Sequence, residues 1–516
     1  MLNIKNMIDL LLINPGNAKG TYQDLATNIS AIETPTWSLL LAESCRSIGY
    51  NVAILDVNAE RLEFSEVLNR IYKLKPRIIC FVVYGQNVNA GTTSMSGATY
   101  LSKYLKEKKI SNPIIYVGSH VQALPEESLI KENSIDIVLT NEGVYALRNL
   151  LKLKSFKQED LISIKGIGFK YRNEITLTAP EKIVPQDRMD IDLPGYAWDL
   201  LPFKNKPFDL YRSPLWHAEY DEEKRSPYAA LQTSLGCRFG CDFCMINIIN
   251  RNNNEKIGVA GNYSFMRYWS PEFIIKEFDK LIKYGVETIR IVDEMFLLNP
   301  KYYIPLCKLL EERNKNNNLR MWAYSRVDTI KKTGILELVR NAGIKWLCLG
   351  IESGKKSIRL EISKGKFEDV DINTVIDTVH NADINVMANY IFGLPGDDEE
   401  SIKETYNLSK ELCTLGWNTY AAMALPGSAL YKRAIEKNYD LPENYEGYSF
   451  HSYNTLPLRN EKLTAAQILK MRDEAFHSYH SYKPFLDKVK NKFGVKAYNN
   501  IIEMSKVRLK RKILGD

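Results

Sequence analysis

From Ile8 onward the chain alternates short, nearly unbroken apolar runs with stretches in which apolar residues recur at helical spacing. The runs at 8–14 (IDLLLIN), 52–57 (VAILDV), 77–85 (RIICFVVYG), 113–119 (PIIYVGS) and 136–143 (DIVLTNEG) predict strands buried on both faces. The segments between them predict helices. One carries Leu39, Leu40, Leu41 and Ile48, one reaches about Lys73, and one covers about 98–108. This alternation predicts an α/β chain that opens with a Rossmann-like, doubly wound sheet over residues 1–155. Ligands of such sheets bind at the carboxyl ends of the strands. Those ends carry Asn14, Gln86, Ser119, His120, Glu142 and Gly143.

Residues 156–225 break the rhythm. They hold strand-like GIGFKYRN and then PQDRMDIDLPGYAWDLLPF, whose aromatics need burial, so the stretch reads as a linker packed on the domains it joins. From 226 the alternation resumes. Apolar runs lead into the cysteines (AALQTS) and recur at 288–296, 320–330, 345–354, 384–396 and 418–428, with helical segments between them. Six strands with intervening helices predict a partial parallel barrel over 226–430. Residues 431–516 read as a helical, aromatic-rich region that caps its mouth. Trp216 and His217, just before the first barrel strand, are candidates to line that mouth.

Composition changes this picture little. The chain is 45% hydrophobic and 25% charged, as ordinary globular proteins are, and its net charge of +7 is mild for 516 residues. The basic tail KVRLKRK (506–512) reads as a solvated helix end, and gives little ground for nucleic acid as a partner. No secretory signal is apparent, and no run approaches the roughly 18 apolar residues of a membrane span. Eight cysteines in a long, unexported chain point to reduced thiols and a cytoplasmic address. Cys45, Cys80, Cys307, Cys348 and Cys413 lie in apolar segments and read as core residues.

The other three cysteines change the picture most. Cys237, Cys241 and Cys244 lie in SLGCRFGCDFCMIN, on the loop leaving the first barrel strand, where barrel chemistry is placed. Three thiolates leave one iron of a 4Fe–4S cluster without a protein ligand, open to a substrate group. Spacing alone also admits a zinc site with a distant fourth ligand, or three unrelated core thiols. Gly236 and Gly240 permit the bends of a tight loop, and Phe239 and Phe243 can exclude water.

C-x3-C-x2-C after the first strand of a βα barrel resembles the radical S-adenosylmethionine superfamily. The resemblance implies a 4Fe–4S cluster on the three cysteines, with S-adenosylmethionine chelating its unique iron. It further implies reductive cleavage to a 5′-deoxyadenosyl radical, with an electron donor such as flavodoxin or ferredoxin. DEMF stands where the family has a Gly-Gly-Glu-like segment, so Asp293 and Glu294 are candidates to bind the methionyl ammonium. Arg326 is a candidate for the methionyl carboxylate or for a pairing with Asp328. GIESG resembles the family's fourth-strand end, which puts Glu352 and Ser353 near the ribose and methionyl groups. IFGLPGD resembles the fifth-strand turn, with Gly393 at the adenine; its acids fit a helix first turn and are left out of the site.

The first domain resembles the cobalamin-binding domain of B12-dependent radical enzymes. VGSH and TNEG match that family's turns, and Asn14-Pro15 also fits. The resemblance makes Asn14, Gln86, Ser119, His120, Glu142 and Gly143 candidate cobalamin contacts; Asn87 and Asn89, after the third strand, are candidates for the corrin edge. No D-x-H-x-x-G motif precedes His120, so histidine ligation through that motif is not expected. His451, His477 and His480 of the cap are candidates to recognise a polar substrate, with Phe476 and Tyr479 as packing residues. No general base can be chosen. The implied activity is methylation of an unactivated carbon or phosphorus of a small molecule. The rivals are a radical rearrangement, cyclisation or oxidation, and a non-catalytic corrinoid or redox sensor.

Overall fold

The computed structural model describes residues 7–171, 174–214, 224–330, 334–367 and 369–516. Trp216 and His217 lie outside them. The first sheet holds β1 (Leu10–Asn14), β2 (Val52–Asp56), β3 (Ile78–Val82), β4 (Ile114–Val117) and β5 (Ile137–Leu139), all parallel. Two further strands, β6 (Ile167–Tyr171) and β7 (Glu174–Leu177), extend it antiparallel, in the order β2-β1-β3-β4-β5-β6-β7. Both fall in the stretch read as a linker. Pairing with β5 satisfies the backbone of β6, whose Ile167 and Phe169 are buried.

Strand order reverses between β1 and β3, because β2 lies outside β1. That switch point opens a crevice at the carboxyl edge of the sheet. The helix Gly91–Glu107 flanks it, and Gly97 lets that helix approach β1: a Cβ there would stand 2.2 Å from the Gly16 carbonyl oxygen.

The second sheet holds β8 (Tyr228–Leu231), β11 (Thr288–Ile291), β12 (Arg320–Arg326), β13 (Ile344–Glu352), β14 (Asn385–Phe392) and β15 (Gly416–Ala421). Neighbours are parallel and follow chain order, as in a closed eight-stranded barrel that lacks two strands. Between β8 and β11 the chain adds a small antiparallel pair, β9 (Ser234–Gly236) with β10 (Met266–Tyr268), which the hydrophobic pattern did not announce. At three residues each, neither is long enough to show an alternation. The helices Ala465–His480 and Lys483–Lys506 cover β15 and the open side. Arg472 donates to the Thr419 carbonyl at 2.8 Å and Tyr479 to that of Thr414 at 2.8 Å. No helix among the described residues is long and apolar enough to cross a membrane.

Candidate functional site

The cysteine loop leaves β9 at Gly236, whose φ of +85° and crowding by the Phe265 carbonyl both require glycine. Asn247 shapes the loop from within. Its Oδ1 accepts the Cys237 amide at 2.6 Å and its Nδ2 donates to the Phe239 carbonyl at 2.9 Å. All three cysteines are unbridged. Burial pushes the Cys237 thiol up to about 12 and the Cys241 thiol to about 11, and raises Cys244 well above its ordinary value. Cys241 also raises Cys237, and both raise Cys244, as neighbouring like charges do. Cys237 is buried and Cys241 and Cys244 are half-buried, and such a trio fits a polynuclear cation that would stabilise three thiolates there. Among the described residues no three metal-ligating side chains close on one point. A cubane does not ask for that, since each thiolate binds a separate iron.

The barrel strands bring charged residues to the same end. Glu294 follows β11, half-buried, with no hydrogen-bond partner among the described residues; burial pushes its carboxyl up to about 7. Glu352 ends β13 in the same state, also pushed up to about 7 by burial. Both act electrostatically on the cysteines, Glu294 on Cys237 and Cys244, Glu352 on Cys241. A β-bulge between Gly350 and Glu352 turns Glu352 into the left-handed region, with φ +67°. Gly350 supplies the room: a Cβ there would stand 2.4 Å from Oε1 of Glu352. Two unpartnered carboxylates beside three thiols form a receptor for a cation.

The other candidates of this end all have partners, although the buried Nη1 of Arg326 has none among the described residues. Asp293 accepts from the Thr233 amide and hydroxyl, both at 2.6 Å, and from the Ser234 hydroxyl at 2.5 Å. It ties β11 to the segment that enters the cysteine loop. Of the acidic pair, Glu294 is the open one. Arg326 makes a two-pronged ion pair with Asp328, both contacts at 2.6 Å. Its guanidinium lies 3.9 Å from the Phe239 ring centre and 4.5 Å from that of Phe367, so it braces the loop. The Ser353 hydroxyl accepts the Lys355 amide and faces Thr405 at 3.3 Å. Gly393, at φ +85°, directs its amide to Asp397 at 3.0 Å, as does Leu394 at 2.9 Å. Asp397 therefore shapes the turn that its sequence placed in a helix start.

At the first sheet's switch point a cavity of about 630 Å3 is lined by Asn14, Gly16, Thr34, Gly85, Gln86 and Ser94, among others. Asn14 is oriented by Asp56 at 2.8 Å. Ser119 and His120 are not on this surface: both are buried in the short helix Ser119–Ala123. Ser119 donates to the Val88 carbonyl at 2.6 Å. His120 contacts Thr92 at 3.1 Å and meets Tyr445 edge-on, and burial lowers its imidazole to about 3. Glu142 is spent on structure. It accepts the Val184 amide at 2.5 Å and pairs with Arg267 of β10 at 2.8 Å. Gly143, at φ +86°, opens the following helix. Asn89 touches the cysteine loop, its Oδ1 accepting the Met245 amide.

The family profiles divide at the same place as the sheets. The B12 binding domain matches residues 22–151, and the radical SAM superfamily matches residues 231–409. The chain is a cobalamin-binding radical S-adenosylmethionine enzyme. Its cofactors are accordingly a 4Fe–4S cluster, S-adenosylmethionine and cobalamin.

A Pyrococcus horikoshii protein described as an uncharacterized methyltransferase is 26% identical over 437 residues, covering 84% of each chain. An anaerobic magnesium-protoporphyrin IX monomethyl ester cyclase of Cereibacter sphaeroides is 21% identical, over 89% of this chain and 69% of its own. Among solved structures, the radical S-adenosylmethionine methyltransferase TsrM from Kitasatospora setae superposes with a TM-score of 0.65. That superposition covers 97% of this chain and 99% of TsrM at 13% identity, a likeness of fold.

Inside the partial barrel of this radical S-adenosylmethionine enzyme lies a cavity of about 690 Å3. Tyr324, Cys348, Asn389 and Tyr420 form its strand wall, and Trp417, Phe476, Ile501 and Met504 give it apolar sides. His451, His477 and His480 line it, as their place in the cap suggested. Burial holds His480 at about 4 and His451 well below its ordinary value, so both are neutral. Arg472 and Arg511 share Asp473. Tyr479 is a packing residue, stacked on Trp417 at 5.0 Å. Residues 431–516 thus supply one wall of the cavity, which the sequence pattern only sketched.

Proposed function

We propose that this enzyme is a methyltransferase that acts on an unactivated carbon or phosphorus of a small, mostly apolar molecule. The observation that carries the proposal is the contact between the two cofactor regions: the turn after β3 lines the switch-point cavity and touches the cysteine loop. Bound there, the cofactors supply a low-potential electron, a carbon radical and a transferable methyl group. Cys237, Cys241 and Cys244 hold the cluster. Glu294 and Glu352 would accept hydrogen bonds from the methionyl amino group. Asn14 and Gln86 contact the cobalamin. Arg326, Asp293 and Asn247 order the loop.

The barrel cavity holds the substrate between aromatic and aliphatic walls, with Asn389 and the neutral histidines as its polar contacts. A flavodoxin or ferredoxin of the cytoplasm serves as reductant. Ring closure without methyl transfer is the second reading, favoured by the similarity to the cyclase.

The deciding experiment starts with anaerobic reconstitution using iron, sulfide and hydroxocobalamin, followed by desalting. Corrin absorption and about four irons per chain are expected, with the iron lost when all three cysteines become Ala. Glu294→Gln and Glu352→Gln should each weaken S-adenosylmethionine retention about tenfold while keeping the iron. Dithionite should then release 5′-deoxyadenosine, and labelled methyl should pass from S-adenosylmethionine to the corrinoid. No cysteine-dependent cluster would sink the whole reading. Deoxyadenosine without any methylated corrinoid would favour ring closure.

A further inference from the structure

We propose that Asn89, a residue of the cobalamin-binding domain, is a positioning residue for the cluster, its side-chain amide donating an N–H to the Cys244 thiolate. The inference rests on the reading of Cys237, Cys241 and Cys244 as cluster ligands.

Asn89 sits in the tight turn Val88–Ala90 that follows β3. Its Oδ1 accepts the backbone N–H of Met245 at 3.0 Å. That bond fixes which end of the amide is oxygen, because a side-chain NH2 cannot accept from a backbone N–H. The NH2 group lies 3.8 Å from Sγ of Cys244. Sγ is equally 3.8 Å from Oδ1, so a free thiol can also donate to the oxygen. A ligating thiolate has no proton to give. With iron bound, N–H···S is the interaction that remains.

The turn is held from its own side. Ser119 donates to the Val88 carbonyl at 2.6 Å and Thr93 to that of Ala90 at 2.8 Å. Gln86 and Ala90, on either side of the Asn89 position, line the switch-point cavity. One turn therefore faces the cobalamin with some residues and the cluster with another. A hydrogen bond donated to a cluster sulfur draws off negative charge and makes reduction easier. The cobalamin-binding domain would then help to set the potential at which S-adenosylmethionine is cleaved.

The test is a redox titration of the reconstituted full chain, followed by electron paramagnetic resonance, on the wild type, Asn89→Ala and Asn89→Asp. Iron and corrinoid content are measured first. Asp keeps an acceptor for Met245 but has no N–H for the sulfur; Ala has neither. The midpoint should move to more negative potential in both variants, further in Asp, with iron per chain unchanged. A shift in Ala beside a wild-type potential in Asp would reduce Asn89 to a prop for Met245 and overturn the donor role. An unshifted Ala variant would overturn it as well, since a change in Asp alone is the effect of added charge. If Ala loses its iron, Asn89→Val takes its place: a shift to more negative potential supports the donor role, and a wild-type potential defeats it. A wild type that takes up no cluster defeats the reading of the cysteines and this inference together. A normal cluster with unmoved potentials defeats only the role of Asn89.

Discussion

Glu352 shows what placing one side chain asks of the backbone. A non-glycine residue at positive φ is uncommon, and holding one there costs about 1–3 kcal/mol. Here the strain aims a carboxylate at the cysteine pocket across the space that Gly350 leaves. His120 shows the opposite: a residue placed by motif on a binding edge is instead sealed in, against Thr92 and Tyr445. Its imidazole is lowered from 6.5 to about 3, chiefly by burial and secondarily by Lys131. A lowered folded value means stability is fully present above pH 6.5 and drains away as pH falls toward 3. We expect His120→Gln to flatten the fall in urea midpoint between pH 6.5 and 4, removing at most about 3 kcal/mol of acid sensitivity. Parallel wild-type and variant curves over that range would count against a buried, neutral His120.

At the scale of elements, the unannounced pair β9–β10 matters most, because Gly236 of β9 launches the cysteine loop. Asp293 holds that launch point from β11 by gathering three donors of Thr233 and Ser234. Removing it strands those donors in a dry setting. Asp293→Ala should cost about 2–4 kcal/mol in chemical denaturation and lower the iron taken up on reconstitution. If Asp293 instead binds the methionyl ammonium directly, the same variant would keep its stability and iron and lose only S-adenosylmethionine retention.

Across the whole molecule, the two halves are joined by polar contacts that water cannot reach. Arg267 of β10 is 2% exposed and Glu142, beyond β5, is 1% exposed. Around that pair Arg267 also binds the Val184 carbonyl at 2.8 Å and Asn250 at 2.9 Å. The cobalamin-binding domain thereby grips the hairpin that carries the cluster loop. Breaking one partner of a buried pair leaves a lone charge, so Arg267→Met should cost about 3–5 kcal/mol. Scanning calorimetry should show one transition in the wild type and two in the variant as the halves uncouple. A variant that melts as one unit near the wild-type temperature would mean that other contacts carry the coupling.

The sequence by itself determined the elements and the chemistry they carry. Continuous apolar runs such as IICFV and WLCL, set between helical stretches, predict strands buried on both faces, and three closely spaced cysteines at a strand exit carry the resemblance to a cluster-binding family. These are local properties, legible because strand burial and loop ligation depend on neighbours in the chain. Tertiary structure decided which polar residues stay free. Glu294 and Glu352 are open, while Asp293, Ser353 and Glu142 are spent on Thr233, Thr405 and Arg267, and Arg326 is tied to Asp328 with only its Nη1 left over among the described residues. Those partners lie between 2 and 125 residues away in sequence. Even Asp328, two residues from Arg326, was legible only as one of two partners. A side chain's partners are fixed by packing in three dimensions, and a buried polar group must take whichever partner the fold brings to it.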